Sequence, residues 1–188
     1  PSILLESART YLARGYAVIP VPARKKIPVL KGWTDLRLSE SELPAHFNGT
    51  GNIGVLLGEP SGWLVDVDLD CEEAVALAPK FLPPTGAMSG RPGKPASHWW
   101  YICEGIKTRK HQDPVSKKMI VELRSTGAQT VVGPSIHPSG EPYDPLDGEP
   151  AVVDAGELAA AVAALAEVVT EARHGRREAI VSQPPSLR

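Results

Sequence analysis

The stretch Trp63-Leu-Val-Asp-Val-Asp-Leu-Asp70 decides how this chain is read. Apolar and acidic residues alternate along it, and a period of two is the signature of a β-strand with one apolar face. Val65, Val67 and Leu69 then enter a core, while Asp66, Asp68 and Asp70 share the opposite, exposed face. Such a row repels itself. It is tolerated on a solvated, charge-blunted strand edge, or where a hard divalent cation neutralises it, and the strand alone leaves both readings open.

On the N-terminal side, Asn52 to Leu57 reads as a strand ending at Gly58, and Glu59-Pro-Ser-Gly62 leads into the acidic strand, a pattern that predicts a hairpin. Ser2 to Arg14 carries a helical stripe closed by Gly15, and Tyr16 to Val21 reads as a strand. Prolines and Gly32 mark Arg24 to Trp33 as a basic loop, and Ser39 opens a short helix reaching Phe47. On the C-terminal side, Glu72 to Lys80 is helical in pattern. Ser89 to Ser97 is a basic glycine and proline loop, and His98 to Ile102 an aromatic strand. Met119–Arg124 and Gln129–Val132 are strands flanking a Ser-Thr-Gly turn. Asp154 caps a last helix to about Arg173, and Ser182 to Ser186 reads as a linker. Strands and helices mixed in this way indicate an α+β domain over residues 1–153, with a helix and linker over 154–188.

With 188 residues, 42% of them hydrophobic, the chain has material for one substantial core. A net charge of -2 excludes a uniformly basic coat. Yet Lys80 to Arg124 holds nine basic residues against the acids Glu104, Asp113 and Glu122, whereas Glu141 to Glu171 has no Lys or Arg, an asymmetry that suits a local polyanion site. Cys71 and Cys103 have no paired spacing, so no zinc site or disulfide framework follows, and a reducing compartment is expected. No apolar run approaches the roughly 20 residues of a membrane span. The first residue is Pro1, and the expectation is a cytoplasmic piece of a longer protein.

In Val121-Glu-Leu-Arg124 the same alternation turns Glu122 away from the core, a further carboxylate to set opposite Asp66 and Asp68. Three carboxylates from two strands suit a pair of divalent ions for phosphoryl transfer, although a salt bridge from Glu122 to Arg124 fits equally well. In the Ser89 to His98 stretch, Gly90 and Gly93 permit close backbone approach and Arg91 and Lys94 supply charge for a triphosphate. His98 suits either a phosphate contact or a structural hydrogen bond. Trp99, Trp100 and Tyr101 are candidates for stacking on bases, with at least one tryptophan left to the core.

The order of these pieces resembles the bifunctional DNA primase-polymerase (Prim-Pol) family of the archaeo-eukaryotic primase superfamily, carried by phages, plasmids and bacterial mobile elements. The resemblance runs through Ala8 to Pro20, Lys26-Ile-Pro28 with Gly32-Trp33, Asn52 to Gly58, Pro60 to Asp68, Ser89-Gly-Arg with His98 to Tyr101, Val121 to Arg124, and Val132-Gly-Pro-Ser-Ile-His-Pro-Ser-Gly140. It implies a core with an RRM-like mixed sheet flanked by helices, and Asp66 and Asp68 as the pair holding two Mg²⁺ or Mn²⁺. Glu122 takes a third position that in the family is often Asp. It further implies that His98 contacts the phosphates of the incoming nucleotide. Arg91, Lys94 and Arg124 join it as phosphate ligands, either Ser89 or Ser97 is the motif serine, Ser135 and His137 form the Pro-Ser-x-His loop, and Asp70 stays outside the first metal shell.

The expected activity is template-directed nucleotidyl transfer, as primase, DNA polymerase or both, on a single-stranded DNA template and primer with NTP or dNTP. The expected setting is a phage, plasmid or mobile-element replication protein, fused or linked to a helicase or other replication module. Two rivals remain at this point: a metal-dependent nuclease, and a non-catalytic single-stranded nucleic-acid-binding module using Trp99, Trp100 and the Lys107 to Lys118 segment.

Overall fold

In the computed structural model, which describes residues 2–175, helix α1 (Ile3–Ala13) begins where the Ser2 hydroxyl accepts the Leu5 amide. It buries Leu4, Ala8 and Tyr11. A capping box between Ser39 and Glu42 opens a 3-10 turn that runs into the short α2 (Leu43–His46). Helix α3 (Glu72–Phe81) follows the acidic strand, and α4 (Ala155–His174) starts where the Asp154 carboxylate accepts the Glu157 amide. The strands are β1 (Val18–Val21), β2 (Asn52–Leu56), β3 (Leu64–Leu69), β4 (Met88–Arg91), β5 (Lys94–Ile102), β6 (Arg109–Gln112), β7 (Met119–Arg124), β8 (Gln129–Val132) and β9 (Ala151–Val152). The linker expected at Ser182 to Ser186 lies outside the described residues.

These strands form two sheets. One is antiparallel in the order β1-β2-β8; the other is antiparallel in the order β4-β5-β3-β7-β6, with β9 added parallel to β5. The α+β expectation holds, and the acidic strand β3 is central in the larger sheet. The expected hairpin of β2 with β3 does not form: the two strands lie in different sheets, and the backbone pairing where the chain passes between them is a single Gly58–Leu64 bridge. The Ser61 hydroxyl explains why. It accepts the Ala17 amide and donates to the Leu56 carbonyl, tying the turn back to the smaller sheet before β3 begins. The Ser-Thr-Gly turn between β7 and β8 makes the same crossing in reverse. The crossings touch, since the Glu59 amide donates to Thr126 Oγ1 at 3.1 Å, and a Cβ at Gly58 would run into the Thr126 backbone.

Each face of the larger sheet has a cover. Val65, Val67, Leu69, Trp99, Tyr101, Val121 and Leu123 pack beneath α3 and α4, where α4 contributes Leu158, Val162, Leu165 and Val169. Helix α4 is thus part of the principal core although it lies beyond residue 153. On the other face Leu64 and Trp100 pack against α1 and the smaller sheet through Leu4, Tyr11, Phe47, Ile53 and Val55. The acidic face is graded: Asp66 is wholly buried against the second sheet, which corrects the expectation of a row exposed throughout, whereas Asp68 is half-buried and Asp70 exposed.

One segment read as a loop is a pair of strands, and a further strand, β6, was not expected. Ser89 to Ser97 is a β4–β5 hairpin turning at Pro92-Gly93, with a register shift between Ser89 and Arg91. Its glycines serve the protein itself: a Cβ at Gly90 would sit 2.8 Å from the Ala96 amide nitrogen. Strand β6 is an all-polar edge strand without alternation. Its turn into β7 is held by Asp113, which accepts the Val115 and Ser116 amides and pairs with Arg173 and His174 at the end of α4.

Tyr11 joins α1 to the segment that follows β8: its hydroxyl donates to the Gly133 carbonyl at 2.5 Å and accepts the Leu146 amide at 3.0 Å. Tyr11→Phe strands two buried backbone groups and is expected to cost about 1–3 kcal/mol. The check is a lower urea midpoint at unchanged slope.

Candidate active site

Strand register places the chemistry. Asp68 lies opposite His98 on β5 and Glu122 on β7, and Asp66 lies opposite Trp100 and Arg124. Directly opposed residues share a face, so His98–Asp68–Glu122 and Trp100–Asp66–Arg124 form two rows across the sheet. The first row opens into a cleft of about 420 Å³. Asp68, Asp70 and Glu122 line it together with Lys26, Arg91, Lys94, His98 and Arg124.

Asp66 lies beneath this surface with its side chain wholly buried. Its oxygens accept from His98 Nδ1 at 2.9 and 3.1 Å and from Thr130 Oγ1 at 2.7 Å. Arg124 Nη1 donates in turn to Thr130 Oγ1 at 3.0 Å. Burial opposes charge on His98, but the Asp66 and Asp68 carboxylates outweigh it and hold the imidazole pKa up at about 9. His98 is therefore a cation at neutral pH, with Nδ1 committed to Asp66.

The remaining sequence candidates divide. Arg91 reaches the cleft but is held by Glu141, which also accepts the Gly93 amide. Lys94 faces Asp70 at 4.0 Å. Ser97 lines the cleft and donates to the Lys94 carbonyl, whereas the Ser89 hydroxyl accepts from Trp100 Nε1, so of the two serines Ser97 has the access. His137 lines the cleft edge-on to Tyr143, its pKa lowered by burial and then by Arg91 and Lys26. Ser135 does not line it; its buried hydroxyl accepts the Ile53 amide and shapes the loop. Trp99, Trp100 and Tyr101 are all buried, which corrects the expectation of base stacking. Alternation hides one face of β5 under the helices, and the smaller sheet hides the other. Lys117 and Lys118 are also absent from the cleft lining, while Lys110 stands 3.9 Å from Glu122.

Sequence reasoning missed Lys26, Gln129, Thr130 and Tyr143, all of which line the cleft. Gln129 and Thr130 come from β8 in the opposite sheet. The one local signal was a pair of polar residues beginning an otherwise apolar buried strand.

Burial and then the charge of Asp68 raise the Asp70 pKa to about 6, despite Lys94 nearby. An all-oxygen donor set of this kind suits Mg²⁺ or Mn²⁺ rather than a soft metal, and a cation there would relieve the strain on Asp70. Among the described residues, no three His, Cys, Asp or Glu side chains are already disposed as ligands about one point.

Carboxylates on a central strand are ringed by cations from both neighbouring hairpins and from the loop after β1, a distribution of charge that suits phosphate-bearing ligands. The family model for bifunctional DNA primase/polymerase, N-terminal, matches residues 8–163, and the chain belongs to this family. Its domain is a nucleotidyltransferase with primase/polymerase activity. A comparison with curated proteins gave no match.

The raised pKa of His98 has a stability signature. Its contribution is fully present below pH 6.5 and is lost as pH rises through about 9. Asp66→Asn is expected to flatten stability over that window and to bring the His98 pKa down, read by denaturant midpoints and by imidazole NMR titration. An unchanged His98 titration in the variant would show that the pair does not set the charge.

Proposed function

We propose that the chain is the catalytic domain of a replication protein that transfers nucleotides from NTP or dNTP onto a primer 3′-hydroxyl or a starting nucleotide, directed by a single-stranded DNA template. The observation that carries this reading is the sorting of charge in one cleft, with Asp68, Asp70 and Glu122 at the centre and Arg91, Lys94, His98 and Arg124 around them. Asp68 and Glu122 would hold Mg²⁺ or Mn²⁺, with the buried Asp66 adding its charge from beneath, and the metal would supply activation of the hydroxyl and neutralisation of the triphosphate. Asp68 and Glu122 offer oxygens to the cleft directly. Asp66 belongs to the set through its charge, since one His98 nitrogen lies 2.9 Å from Asp66 and 3.8 Å from Asp68.

The remaining roles follow from what each side chain has free. With Nδ1 bound to Asp66, His98 presents its other N–H to a phosphate oxygen as a charge-assisted donor. Arg91 is oriented in advance by Glu141, and Lys94 balances Asp70 against the triphosphate. Arg124, fixed by Thr130, sets positive charge beside Glu122. Ser97 adds a hydroxyl, and His137, its pKa lowered, contributes hydrogen bonding rather than charge. Ser135 acts through the loop it shapes. Positioning and charge neutralisation carry phosphoryl transfer, and no covalent nucleophile is required. The proposal extends to an RRM-type core, supported by two helices on one sheet face and acids on the other, to a cytoplasmic setting, and to a mobile-element replication protein linked to a helicase or similar module.

Primer-free synthesis on a single-stranded template with labelled nucleotides and either metal tests the reading. Asp68→Asn is expected to cut incorporation by about 100-fold or more. Near wild-type synthesis by that variant at saturating metal would overturn the assignment. Degradation of DNA without nucleotides would favour a nuclease, and template binding without incorporation a non-catalytic module.

Glu122→Gln keeps shape and removes one charge, so it is expected to raise the metal concentration for half-maximal rate and to lower turnover, whereas Glu122→Asp retains partial activity. A Gln variant with an unaltered Mg²⁺ and Mn²⁺ response would leave Glu122 as a partner of Arg124 and Lys110 and pass the third position to Asp70.

A further inference from the structure

Between β1 and the 3-10 turn at Trp33 the chain carries Arg24, Lys25, Lys26 and Lys31 without a single acid. Interleaved with them, Ile27 and Val29 are 73% and 79% exposed. Although irregular, this loop is firmly held. The buried amide of Asn52 donates to the Lys25 carbonyl at 3.0 Å, and that of Gln129 donates to the Lys26 carbonyl at 2.8 Å. Two strands of the smaller sheet thus each commit a buried side chain to fixing the backbone of an exposed basic and apolar loop. A loop ordered beforehand loses little entropy on binding.

The loop borders a second groove of about 480 Å³, lined by Pro28, Trp33, Lys110 and Gly127 among others. This groove shares Ile27, Glu122, Arg124 and Gln129 with the catalytic cleft, so one track runs from the acids past Ile27 to Trp33. The two ends differ in position. Arg91 and Lys94 stand on the β4–β5 side of the acidic strand, and Lys110 and Arg124 on the β6–β7 side.

We propose that the groove and its loop hold the templating strand, with bases against Ile27, Pro28 and Trp33, a phosphate on Lys110 within the groove, and flanking phosphates on the loop's Lys25 and Lys31 outside the groove lining. Alternating cations and apolar surfaces are what an unpaired strand needs, because every base has a stacking face and every linkage a charge. The triphosphate enters from the β4–β5 side and the template from the β6–β7 side, so they meet over Asp68 and Glu122. That the strand is a template rests on the nucleotidyl-transfer reading; that the groove binds single strands does not.

Binding of a fluorescent oligothymidylate, without nucleotide or metal, is measured across a salt series. Lys25→Ala with Lys31→Ala is expected to weaken binding about tenfold and to lower the slope of log affinity against log salt by about 1.4, or about 0.7 per single-strand phosphate contact. Neither residue lines the catalytic cleft, so binding of a fluorescent nucleotide with Mn²⁺ stays unchanged. Ile27→Ser, on an exposed side chain that folding does not need, is expected to weaken binding at least about fivefold with an unaltered slope. Wild-type affinity in both variants would overturn the proposal. So would loss of binding to anionic phosphatidylglycerol vesicles with single-strand binding intact, which would assign the loop to a membrane surface. If the wild type incorporates no nucleotide while the variants lose single-strand binding, the proposed function fails and the groove stands.

Discussion

The ion pair of Asp66 with His98 is the constraint around which the site is arranged. A carboxylate buried between two sheets costs several kcal/mol unless it is paired and hydrogen-bonded. Here both conditions are met by groups from two different strands, His98 on β5 and Thr130 on β8. The same contacts bring the smaller sheet's polar residues to the acidic strand and fix Arg124 through Thr130. Stability and function therefore share one set of bonds. His98 cannot be moved without exposing an unpaired Asp66, and Asp66 cannot be neutralised without discharging the cation that faces the cleft.

The two sheets also divide the labour. The larger sheet supplies the acids and, through the β4–β5 hairpin, the cations Arg91, Lys94 and His98 that line the cleft. The smaller sheet supplies little charge of its own, but its Asn52 and Gln129 amides position the basic loop at the far end of the track. The helices take no part in the cleft lining; they bury the apolar half of β3 and keep it straight between its neighbours.

Much of this was legible in the sequence, and the reasons are local. The alternation of Val65, Val67 and Leu69 gave the buried face of β3, and the caps at Ser2, Ser39 and Asp154 gave helix starts. Alternation in Val121 to Arg124 put Glu122 across from the acidic strand, where it indeed pairs in register with Asp68. What failed was information that no short window contains. Period two says that Asp66 lies opposite Val65 but not what covers it, so a buried carboxylate was read as a solvated one. A turn of Glu-Pro-Ser-Gly closes a hairpin or crosses between sheets with equal ease, and the distant Ala17 decides through Ser61. The β4–β5 hairpin was hidden because Gly90, Pro92, Gly93 and Pro95 all lower strand propensity. One tryptophan was expected in the core, but the burial of both was hidden because exposure on one face of β5 was assumed, and Thr130 and Gln129 were hidden because they reach the site from another sheet.

The pairing of Arg91 with Glu141 bears on turnover. A guanidinium that already holds a carboxylate gains less from a phosphate than a free one, because each new contact displaces or shares an existing one. On the proposed reading the triphosphate therefore meets a side chain that is well aimed but partly satisfied, and its ground-state affinity is held down. The same competition acts on the departing pyrophosphate, and Glu141 is in place to reclaim Arg91 as it leaves. On the same reading, an acid at the edge of a phosphate site, which by charge alone looks like a defect, would favour departure of product from the cleft.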